Sequence, residues 1–72
     1  MFEEDIGKNL KLLRVSLDLT QEQLARKVGL TRQTIIAIES KKKKPSRVQA
    51  LALLSVLRNS EYAEQILGHF SF

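Results

Sequence analysis

The chain has no cysteine, one histidine, one proline and only three glycines among its 72 residues. No apolar run approaches the ~18 residues that a membrane span requires, so no membrane association is expected. Each shortage excludes something. Without cysteine, neither a disulfide nor a cysteine-ligated metal can staple the fold, and no metal or cofactor is expected. His69 stands near the C-terminus, and no carboxylate pair is set by a motif, so catalysis finds no apparatus. Gly7, Gly29 and Gly68 lie too far apart for a glycine-rich phosphate loop. No signal-peptide pattern opens the chain. There is no strand-like alternation, no repeat and no linker marking a second domain. Residues 1–67 are therefore expected to form one domain, with 68–72 a short tail. Such a domain is near the small end of self-sufficient folding. Its core must come from aliphatic side chains, and a dimer would add burial.

What the chain does have is a basic centre. The formal net charge is +4. Residues 1–5 hold Glu3, Glu4 and Asp5, a net of −3, and residues 59–72 hold Glu61 and Glu64, a net of −2 with His69 neutral. The stretch 6–58 carries all twelve Lys and Arg against Asp18, Glu22 and Glu39, a net of +9. A basic centre between acidic ends is an electrostatic footprint for a polyanion. The alternative, a solvated surface that happens to be basic, does not explain why the charge clusters beside one pair of helices.

That pair lies in TQEQLARKVGLTRQTIIAIE, residues 20–39. Thr20 is a helix N-cap, and Gln23 completes a capping box. Leu24, Ala25 and Val28 recur at helical spacing. Gly29 follows where a left-handed residue is needed. Thr31 restarts the pattern as a second N-cap, with Ile35 and Ile38 as the inward stripe. Isolated helices shorter than about 12–15 residues are marginal in water, so these two must pack crosswise over other elements. That describes a helix-turn-helix, whose second helix begins with three polar side chains able to read bases.

The remainder is helical by the same signals. Ile6, Leu10, Leu13 and Leu17 form one stripe of a first helix over about 3–16. Ser40 and Lys41-Lys42-Lys43-Lys44, then Pro45, make a loop, and Ser46 caps a fourth helix over about 47–57. Ala50, Leu53, Leu54 and Leu57 make one face of it; Val48, Ala52 and Val56 make a second. Ser60 is placed to cap a short fifth helix reaching about residue 67, with Tyr62, Ala63, Ile66 and Leu67 on its apolar side.

The segments LKLLR, LTQEQLARKVGLTRQTIIAIE and KPS, over about residues 6–57, resemble the phage-repressor/Cro-like (XRE-type) helix-turn-helix family. The resemblance implies an all-α, compact five-helix, lambda-repressor-like domain with the helix-turn-helix at 20–40. It implies a homodimer that binds double-stranded DNA at an operator palindrome and regulates transcription, with repression the expected sign. It also implies a cytoplasmic protein of bacterial, archaeal or phage origin.

Carried over by residue, the resemblance lays a recognition helix, 32–40, in the major groove. Arg32 can donate two bonds to guanine O6/N7, and Gln33 can pair bidentately with adenine N6/N7. Thr34 offers a hydroxyl to base or phosphate, and Ala37 an apolar contact to a thymine methyl. Gln21 matches a family glutamine that holds a phosphate at a helix start. Thr31, Lys41, Lys42, Lys43, Lys44 and Arg47 are expected along the DNA backbone, where contacts position without reading sequence. Arg14 and Glu39 match a family ion pair and are read as structural. Lys41 stands where the family usually has glycine, so it either adopts a left-handed backbone or the helix ends differently. Ile36 stands where a polar residue is common, and it could equally meet a partner protein.

Val56, Tyr62, Ile66, Phe70 and Phe72 offer more apolar surface than one small core needs. They are expected in a two-fold interface that sets recognition helices about 34 Å apart; alternatively Tyr62 and Ile66 close the core. A different class of function stays open: an antitoxin-like module whose main partner is a protein, a toxin or another regulator, and which autoregulates its operon. An RNA- or single-strand-binding module lacks the aromatic platform such proteins use.

Overall fold

Hydroxyl side chains start three of the helices, and left-handed residues stop three. The computed structural model describes residues 2–67. In it α1 spans Phe2–Ser16, α2 Gln21–Val28, α3 Arg32–Glu39, α4 Arg47–Leu57 and α5 Ala63–Leu67, with no strand among the described residues. The fold is all-α.

Thr20 Oγ1 accepts from Gln23 N at 3.0 Å while Gln23 Oε1 accepts from Thr20 N at 2.8 Å, a reciprocal capping box. Ser46 and Gln49 repeat it at the start of α4. Thr31 Oγ1 accepts from Thr34 N at 3.1 Å. Glu3, Glu4 and Asp5 occupy the first turn of α1, complementing the positive end of its dipole.

At their C-termini, α1, α2 and α3 end alike. Asp18 (φ 56°), Gly29 (φ 71°) and Lys41 (φ 65°) are left-handed. The next amide in each case reaches back five residues: Leu19 N to Arg14 O, Leu30 N to Ala25 O and Lys42 N to Ala37 O. These bonds satisfy last-turn carbonyls that would otherwise be orphaned. Of the two possibilities for Lys41, the left-handed one holds. Asp18 is a third such position that the sequence pattern does not flag.

The core draws on every helix. Ile6, Leu10 and Leu13 of α1 meet Leu24 and Ala25 of α2, Ile35 and Ile38 of α3, Ala50, Leu53, Leu54 and Leu57 of α4, and Ala63 of α5. Helix α1 packs on α3, α4 and α5, so it is the element around which the others assemble. Three expectations need correction. Ser60 does not cap α5, which begins at Ala63; instead its hydroxyl accepts from Tyr62 N and meets Ser16 Oγ, tying the α4–α5 turn to the end of α1. Tyr62 therefore precedes the helix and is exposed rather than on its apolar side. The second stripe of α4 is not one face: Val48 is 77% exposed, whereas Val56 packs on the core, as Ile66 of α5 does. Phe70, Phe72 and His69 lie outside the described residues.

One ion pair ties α1 to α3. Arg14 Nε and Nη2 donate to Glu39 Oε2 and Oε1 at 2.6 and 3.2 Å. Arg14 Nη1 donates to Leu19 O at 2.7 Å, and Gln21 Nε2 donates to Glu39 Oε1 at 3.2 Å. The two charged side chains are only 11% and 6% exposed. Removing one partner from such a pair strands a desolvated charge.

Urea denaturation should accordingly show Glu39→Ala losing about 3–5 kcal/mol; a loss below ~1 kcal/mol would mean that solvent screens the pair. At Gly29 an added Cβ meets nothing within 4 Å. Gly29→Ala should thus lose ~1–2 kcal/mol from backbone strain alone. Lys41→Gly should move the other way, by ~0.5–1 kcal/mol once the added freedom of the unfolded chain is subtracted.

Candidate nucleic-acid interface

Helix α3 divides by its own periodicity. Ile35 and Ile38 are fully buried, so the residues between them turn outward. Arg32 and Gln33 are exposed at the first turn, and Ile36 further along is 37% exposed. Thr34 and Ala37 are half-buried. Thr31, exposed at the N-cap, shares a hydroxyl–hydroxyl bond of 3.0 Å with Thr34, which leaves one hydroxyl hydrogen of the two available to an outside acceptor. The outward turn of α3 thus presents a guanidinium, a carboxamide and a hydroxyl pair. These are the groups that match purine edges in a major groove.

Gln21 stands at the first turn of α2 beside the end of α3. Its amide donates to Glu39 Oε1, so the ion pair holds its side chain in place. The same pair fixes the start of α2 and the end of α3 relative to α1. The outward groups on both helices are therefore carried on one rigid unit, as a precise recognition surface requires.

Beyond α3 the backbone of the lysine loop is tethered. Lys42 N and Lys43 N both donate to Ala37 O, at 3.0 and 3.2 Å. Pro45 is buried, and a Cβ at Gly7 would come within 3.3 Å of Pro45 Cδ. Gly7 in the middle of α1 therefore lets the loop seat closely against the helix. An isolated glycine inside a helical pattern is the sequence sign of such an approach, and it was available here. Lys41, Lys42 and Lys43 are exposed on this loop. Of the cations expected along the DNA backbone, Lys44 and Arg47 are engaged within the protein: Lys44 Nζ lies 3.6 Å from Glu4 Oε1, and Arg47 Nη1 lies 3.7 Å from Glu3 Oε2. The acidic start of the chain, distinct in sequence from its basic centre, folds back onto it.

The comparisons with known proteins agree on one class. Residues 10–62 match the family model described as helix-turn-helix. Over 53 residues the chain is 47% identical to an uncharacterised HTH-type transcriptional regulator of Methanothermobacter thermautotrophicus, covering 74% of this chain and 75% of that protein. Over 37 residues it is 60% identical to another such regulator, of Methanocaldococcus jannaschii, covering 51% of this chain and 56% of the relative. No solved structure matches.

Proposed function

Because this chain belongs to the helix-turn-helix family of DNA-binding transcription regulators, we propose that it is a sequence-specific repressor acting as a homodimer on a palindromic operator. In this reading residues 1–67 form a single binding domain in the cytoplasm. The observation that carries it is the division of α3, with Ile35 and Ile38 buried, Arg32 and Gln33 exposed at its first turn and a tethered, exposed lysine loop after its end. Helix α3 enters the major groove. Arg32 and Gln33 read purine edges, Thr34 contributes a hydroxyl, and Ala37 and Ile36 supply apolar contact to thymine methyls. Gln21, Thr31, Lys41, Lys42, Lys43, Lys44 and Arg47 face the phosphates and set register without reading sequence.

Dimerisation follows from the geometry of the target. One recognition helix of two turns reads few base pairs, and a two-fold pair places two such helices one DNA turn apart. Val56 on α4, Tyr62 ahead of α5 and Ile66 on α5 are the described candidates for the interface, and Phe70 and Phe72 extend the set. Repression requires only that the bound dimer occupy its site.

Selection of bound duplexes from a random pool tests the whole reading. It should enrich a palindrome with half-sites about one turn, roughly 34 Å, apart; salt-sensitive binding without an enriched site would contradict it. On the enriched site, Gln33→Ala should cost about 1–3 kcal/mol and relax base choice at one half-site position. Lys42→Ala should weaken cognate and random DNA alike and flatten the salt dependence by about one unit of slope. Equal loss on both DNAs for Gln33→Ala would remove it from the base-reading set.

A further inference from the structure

We infer that Glu3 and Glu4 act as built-in counterions that compete with DNA phosphate for Arg47 and Lys44, and so set the strength of backbone binding. The inference rests on the DNA-binding reading above. Three observations carry it. The first is placement: two of the three carboxylates in the first turn of α1, Glu3 and Glu4, stand opposite Arg47 at the start of α4 and Lys44 of the α3–α4 loop, at 3.7 and 3.6 Å. The second is geometry. These separations exceed the 2.7–3.2 Å of a formed N–H···O hydrogen bond. The pairs are loose contacts, unlike the 2.6 Å bond of Arg14 to Glu39, and an incoming phosphate oxygen can displace them. The third is the environment of Glu3. Its side chain is 11% exposed, and its Oε1 is buried with no hydrogen-bond partner. The α1 dipole alone does not call for a carboxylate buried in this way, since exposed carboxylates satisfy it as well.

The consequence is electrostatic. Non-specific affinity for duplex DNA comes from phosphates neutralised by Lys and Arg with release of condensed counterions. A cation already paired with a carboxylate must give up that partner before it takes a phosphate, so its net contribution falls. Base reading by Arg32 and Gln33 does not involve this exchange. Glu3 and Glu4 therefore lower the sequence-independent part of binding and leave the sequence-dependent part to α3.

The test is anisotropy titration of a random-sequence duplex at two salt concentrations with the native chain and charge variants, folding of each being checked by circular dichroism. Glu3→Gln with Glu4→Gln should bind about 3- to 10-fold more tightly at low salt, with the gain shrinking as salt rises. Asp5→Asn removes one unit of charge from the same helix turn, as Glu4→Gln alone does, but touches neither pair; it should gain less than about 1.5-fold, below the gain of Glu4→Gln. In a Lys44→Gln, Arg47→Gln background, the double Glu variant should fall to no more than the small gain per charge removed that Asp5→Asn gives. Equal gains for the charge-matched Asp5→Asn and Glu4→Gln, or a double-variant gain that persists undiminished without Lys44 and Arg47, would overturn the inference. Glu4→Gln alone, at a half-exposed position, reads one pair even if Glu3→Gln unfolds the chain. Failure of the native chain to bind any duplex would overturn the DNA-binding reading, and this inference with it; native binding with no gain in the variants would overturn this inference only.

Discussion

The rigidity of the helix-turn-helix depends on a bidentate ion pair that is almost closed to water. Arg14 reaches from the last turn of α1 to Glu39 at the last turn of α3, and its remaining nitrogen holds Leu19 O in the α1–α2 loop. Gln21, at the start of α2, joins from the other side. Three helices and one loop are thereby referenced to a single pair of side chains. Apolar packing alone would leave α2 and α3 freer to slide, because each is eight residues long and buries only two residues fully in the core. A hydrogen-bonded fork has one geometry. The angle between α2 and α3, and hence where the outward turn of α3 points, is held by that geometry.

Around this lock the chain ends its helices with left-handed residues, and only one of the three is glycine. Asp18 and Lys41 accept a conformation that costs a residue with a Cβ ~1–2 kcal/mol. Lys41 keeps a cation at the rim of the proposed groove where glycine would offer none. The tether of Lys42 and Lys43 to Ala37 O, together with Pro45 seated against Gly7, gives the lysine loop a definite path even though its side chains are exposed. Ordered backbone with exposed cationic side chains suits phosphate contact, which needs charge near a surface more than fixed hydrogen bonds. The acidic start of α1 meets this same rim, so opposite charges separated along the sequence are adjacent in the fold.

Much of the architecture was legible in local signals. Thr20 with Gln23, Thr31, and Ser46 with Gln49 announce three helix starts, and Gly29 one helix end, because a cap involves residues only a few positions apart. The stripes Ile6–Leu10–Leu13, Leu24–Ala25, Ile35–Ile38 and Ala50–Leu53–Leu54–Leu57 identify the buried faces, since periodicity and burial coincide in short amphipathic helices. Where local reasoning failed, a distant contact intervened. Ser60 reads as a cap but is drawn into the joint with Ser16, which delays α5 to Ala63 and turns Tyr62 outward. Glu3 and Glu4 read only as an acidic end, because nothing in a one-dimensional charge profile says which cations they meet.

The sequence by itself determined the helices, their caps, the inward stripes, and the polar side chains that open α3, all of which depend on residues within one or two turns of each other. Tertiary structure alone decided three further things: that Gln21 joins the Arg14–Glu39 pair which the family resemblance implied, that Pro45 seats against Gly7, and that Glu3 and Glu4 face Arg47 and Lys44. Those contacts join segments far apart in the chain. They exist because burying the aliphatic stripes against α1 brings the segments together, and charge then sorts the side chains left at the edges.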